Sequence, residues 1–109
     1  MATSSTPTIA SLTLDAEAPD GERFAITVKI GTPYHRETGE WACPVALVGL
    51  YERLSDACGD DSFQALCMAA SLAQDLQRDF QEKGGALLIE GDRFQLEPYA
   101  FGPAARRMS

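Results

Sequence analysis

A chain of 109 residues, 45% apolar and 23% charged, has room for one hydrophobic core and needs no disulfide staples. Its formal charge of −7 argues against a nucleic-acid partner, because phosphates are held by clustered Lys and Arg. Three cysteines without C-x-x-C spacing, no run of 18 apolar residues and no leader-like start point to free thiols in a cytoplasmic protein, with no membrane partner and no cofactor.

The opening MATSSTPT is small and polar, so residues 1–7 are expected to form a flexible arm ahead of an ordered domain at 8–96. Ala10, Leu12 and Leu14 alternate with Ser11 and Thr13, which predicts a half-buried strand, and Pro19-Asp20-Gly21 predicts a reversal. Phe24, Ile26, Val28 and Ile30 alternate more cleanly with Arg23, Ala25, Thr27 and Lys29. The two strands should make a hairpin with one wet face.

Gly31 to Glu40 spends ten residues where hairpin connections usually take about two to five. The excess exposes Tyr34, His35, Arg36 and Glu37, and aromatic and arginine side chains commonly anchor contacts. This is the first candidate binding surface; a long solvated loop is the plainer reading of the same residues. Trp41 to Val48 then reads as one strand with Trp41, Cys43, Val45 and Leu47 on its core face, while Pro44, which lacks an N–H, marks an edge or bulge. Leu50 to Ser55, with Tyr51 and Arg53 on one face, reads as a weaker neighbouring strand.

Asp60 to Lys83 is the longest periodic segment. Asp60, Asp61 or Ser62 can cap it; Phe63, Leu66, Ala70, Ala73, Leu76 and Phe80 recur at three- and four-residue steps; Gly84-Gly85 stops it. A helix over about 61–83 follows, with small Ala69, Ala70 and Ala73 letting its axis approach a sheet. Asp75, Asp79 and Glu82 share an outer face and form a second candidate docking strip. Arg78 and Lys83 are spaced to pair with Asp75 and Asp79, so the plainer reading is a solvated face laced by ion pairs. Beyond it, Ala86 to Ile89 predicts a returning strand over about 86–90. Gly91-Asp92 predicts a turn into a short final hairpin, and 97–109 an irregular tail that Tyr99 and Phe101 are expected to anchor.

Catalytic chemistry finds little support. His35 and Cys43 would have to act as base and nucleophile, or join Cys58 and Cys67 at a metal, yet the thiols lack paired ligand spacing. Asp60 and Asp61 are explained by the helix cap, and Gly84-Gly85 lacks the other glycines and the lysine of a phosphate loop. No catalytic residue and no metal ligand is assigned, and the protein is expected not to be an enzyme.

Ile30-Gly31-Thr32-Pro33, then Trp41 to Pro44 as W-x-C-P, then Gly59 to Leu66 as G-x-D-S-F-Q-A-L form a pattern that resembles a family of small, uncharacterised bacterial domains. The resemblance spans roughly residues 22 to 90. It implies a bacterial, stand-alone cytoplasmic protein and carries no activity, cofactor or catalytic residue with it.

The expected fold is α+β: an antiparallel β-meander of three or four strands covered on one face by the long helix, with the returning strand and final hairpin completing the sheet. The expected function is non-enzymatic binding of a protein partner, one version being an acidic inhibitor or immunity-type protein for a basic effector. Two other classes stand beside it. One is a small-ligand protein or enzyme with a pocket between helix and sheet, lined by Trp41, Cys43 and the alanines; the other is a homodimer pairing exposed strand edges.

Overall fold

The structure, a computed structural model, describes residues 7–51 and 54–96. The expected arm apart from Pro7, the tail with Tyr99 and Phe101, and Arg53 in the expected fourth strand lie outside the described residues.

Strand β1 (Thr8–Glu17) and strand β2 (Arg23–Gly31) form the expected hairpin. Gly21 N–H donates to the Ala18 carbonyl at 2.8 Å to close the turn. The register sets Leu12 opposite Val28, Leu14 opposite Ile26 and Ala16 opposite Phe24, so the apolar residues of both strands share one face. On the wet face Thr13 lies opposite Thr27, their hydroxyls 3.3 Å apart.

The ten-residue connection is more ordered than a loop. Tyr34–His35 forms strand β3 and pairs with strand β4 (Trp41–Cys43) around a turn in which Arg36 N–H donates to the Glu40 carbonyl at 2.8 Å. Trp41 to Val48 is not one strand. It breaks at Pro44 into β4 and strand β5 (Val45–Val48), and the two halves belong to different sheets. Pro44 has no N–H for a ladder, but its carbonyl accepts the Gly31 N–H at 2.9 Å. A Cβ on Gly31 would lie 2.9 Å from two proline ring carbons, so the corner needs glycine there.

The expected strand at Leu50 to Ser55 is reduced, among the described residues, to a single bridge between Leu47 and Tyr51. A tight turn competes with it, Leu50 N–H donating to the Leu47 carbonyl at 3.0 Å. The third strand of the small sheet is instead β6 (Ala57–Gly59), giving the order β3-β4-β6.

Helix α1 (Ser62–Glu82) starts where the carboxylate of Asp61 accepts the Gln64 N–H at 2.7 Å, while Gln64 Oε1 accepts the Asp60 N–H at 2.5 Å. Its buried row runs at four-residue steps through Ala65, Ala69, Ala73 and Gln77. The expected stripe is therefore rotated: Phe63, counted on the core face, is 72% exposed, and Gln77, counted outside it, is 4% exposed. Close approach causes the shift. A Cβ on Gly59 would lie 2.6 Å from the Ala65 nitrogen, so β6 presses against the first turns and selects the alanine side of the helix.

Strand β7 (Ala86–Ile89) returns antiparallel to β1 and turns into strand β8 (Asp92–Arg93), completing a five-stranded sheet of order β5-β2-β1-β7-β8. Leu14, Ile26, Leu47, Leu87 and Cys43 are the largest fully buried side chains. Phe24 and Phe80 meet edge to face with centroids 6.1 Å apart, fastening the end of the helix to the sheet.

Candidate functional site

Three surfaces carry chemistry. The first is the β3–β4 hairpin. Alternation sends Tyr34 and His35 to opposite faces of β3. The His35 ring lies on Trp41 with centroids 5.1 Å apart, and its Nε2 is 3.1 Å from the Gly39 carbonyl. On the other face the Tyr34 hydroxyl donates to Asp56 Oδ2 at 2.6 Å, tying the hairpin to the segment before β6. Arg36 places its guanidinium carbon 6.0 Å from the Tyr34 ring centroid and its Nη1 3.5 Å from Glu40 Oε2. Tyr34 and Arg36 are half-buried, while His35 and Glu37 are exposed. The Asp56 hydrogen bond, more than burial, holds the Tyr34 phenol above its ordinary pKa. Trp41, expected on the buried core face, is half-buried, packed against the core with His35 lying on its ring.

The second surface is the outer face of α1. Asp75 pairs with Arg78 at 3.5 Å, and Asp79 pairs with Lys83 at 3.0 Å and accepts the Tyr51 hydroxyl at 3.3 Å. Glu82 is exposed. Two of the three carboxylates thus have local partners, and exposed pairs of this kind contribute little to stability.

The cysteines differ in setting: Cys43 is buried on β4, Cys58 is exposed on the neighbouring β6 opposite Ala42, and Cys67 is half-buried on α1, all free. Cys43 Sγ lies 3.3 Å from the Gly31 carbonyl, and burial pushes its thiol pKa up. Among the described residues no three His, Cys, Asp or Glu side chains are grouped to hold a metal ion, and no helix is long and apolar enough to cross a membrane.

The third surface is one that periodicity did not single out. A groove of about 190 Å³ runs between sheet and helix, floored by Leu12, Val28 and Ile30 and walled by Ala70, Ala73 and Gln77. Neither Trp41 nor Cys43, the residues expected to line such a pocket, lines it. Gln77 Nε2 donates to the Ala73 carbonyl at 3.1 Å, and its buried Oε1 has no partner. The signal for Gln77 was present in the chain as the four-residue row Ala65, Ala69, Ala73, Gln77, but a stripe counted from the bulky Phe63 passes beside it.

A family model described as a domain of unknown function (DUF6968) matches residues 10–97. No curated protein and no solved structure matches the chain.

Proposed function

Because the chain belongs to the DUF6968 family, a grouping that assigns no activity, we propose a function from the surfaces themselves: a non-enzymatic domain that binds a protein partner through its β3–β4 hairpin. The observation that carries this reading is the preorganisation of the hairpin. His35 rests on Trp41, and Arg36 is held between Tyr34 and Glu40, so side chains of the types that dominate interfaces are ordered before a partner arrives. A charge of −7 supports a basic partner, and an acidic inhibitor of a basic effector is the specific version it favours. Free thiols support a reducing cytoplasm as the setting.

The test separates binding from folding. His35→Ala with Arg36→Ala removes exposed or half-exposed side chains and should change stability by less than about 1 kcal/mol. The same pair should weaken a partner recovered with the wild type at least about tenfold, roughly 1.4 kcal/mol. Unchanged affinity in a folded double variant would remove the hairpin from consideration.

A further inference from the structure

Strand β1 is ten residues long and pairs with β2 along that whole length, from Thr8 to Glu17, across one bulge. On its other side β7 covers only Asp15, Ala16 and Glu17. No described strand lies along that edge from Thr8 to Leu14. Proteins blunt open edges with charge, proline or bulges; this stretch, TIASLTL, holds no charge and no proline, and its single device is the bulge at Ile9. The helix and the buried Phe94 border this half of the sheet without covering it fully. Leu14 and Ala16 on the core face are buried, whereas Leu12 on the same face is half-buried and Ala10 is exposed. The groove opens in that gap, between β1 and the Ala70–Ala73 side of α1. Phe63, seven residues before Ala70 and so almost directly in line with it along the helix, adds exposed apolar surface.

We propose that the open edge of β1 and the adjoining groove form a second binding site, one that accepts an extended peptide segment of a basic partner as an added strand. Only a strand presents donors and acceptors at the spacing of an unpaired edge, and every second side chain of that strand would face the groove. About 190 Å³ is somewhat more than the roughly 150 Å³ cavity known to hold benzene, so the groove takes one ring-sized or branched aliphatic side chain. Charge decides between partners. Two copies of a chain at −7 repel each other, whereas lysines flanking the apolar positions of a peptide are attracted. The site is separate from the hairpin, and neither reading depends on the other.

The probe is a blocked hexapeptide alternating lysine and leucine, titrated into the full chain at low salt by calorimetry and followed by amide hydrogen exchange. Saturable one-to-one binding is expected, with exchange slowed at those amides within Thr8–Leu14 that face away from β2. A glutamate-for-lysine version should bind at least tenfold more weakly. Ala70→Leu, which fills the groove, should lower affinity at least tenfold with no loss of unfolding temperature; if that variant does not fold, the exchange pattern of the wild type still decides. The proposal is overturned by absent binding, or by binding that leaves exchange in Thr8–Leu14 unchanged. It is equally overturned if the outward amides, those not bonded to β2, are already protected without peptide: in a sedimenting dimer the edge belongs to a second copy, and in a monomer to another segment of the same chain.

Discussion

Gln77 Oε1 is the one buried side-chain polar atom among the described residues that has no hydrogen-bond partner. A buried acceptor that gave up water without replacing it costs about 1–3 kcal/mol. Gln77→Met keeps the length of the side chain and removes the orphaned oxygen along with the Nε2 bond to Ala73, so it should raise unfolding stability by about 1 kcal/mol in urea denaturation; a loss of stability would show that the Nε2 bond outweighs the cost of the buried oxygen. Tyr34 makes the opposite case, a polar atom whose partner is ideal. Its folded pKa is raised above the ordinary value, so its hydrogen bond to Asp56 stabilises the fold in full below the unfolded value near pH 10 and is lost as pH rises through the higher folded value. Stability of the wild type should therefore fall more steeply above pH 10 than that of Tyr34→Phe. Equal slopes would detach the phenol from Asp56.

Elements obey the same local rules, but those rules do not choose their neighbours. Asp61 caps α1 through Gln64, and Asp61→Ala should cost about 1 kcal/mol, read as a drop in the denaturation midpoint. The cap, the glycine stop, the β1–β2 hairpin and the returning strand were all legible, because capping chemistry and period-two alternation are local properties. The break at Pro44 was legible only as an anomaly. Alternation assigns Trp41, Cys43, Val45 and Leu47 to one face, but parity cannot say that the residues before and after the proline join different sheets. Strand β6 carries no strand signal in the sequence because Ala57 and Gly59 have little intrinsic strand preference; it forms by pairing with β4 and pressing on the helix. For the candidate site, residue types in the hairpin were readable, while the pairing of Tyr34 with Asp56 across 22 positions and the groove beside β1 depend on tertiary packing.

At the scale of the whole molecule, α1 is the element that makes two sheets one structure. It packs against β4 and β6 of the small sheet and against β2, β5 and β7 of the large one. Loss of the helix should release both sheets together. Far-ultraviolet circular dichroism, which follows α1, and the emission of Trp41, which sits in the small sheet, are expected to report one coincident unfolding transition. Separate midpoints would show that the hairpin side melts on its own.

The contact between Gly31 and Pro44 reaches beyond this chain. Two residues that exclude each other's larger forms cannot vary independently. Gly31→Ala alone should cost about 1–3 kcal/mol as the proline ring is pushed aside, and the same change in a Pro44→Ala background should cost less, a coupling that a double-mutant cycle measures directly. Across the family the two positions should then co-vary: wherever evolution has placed a side chain at the end of β2, the corner opposite should have lost its ring.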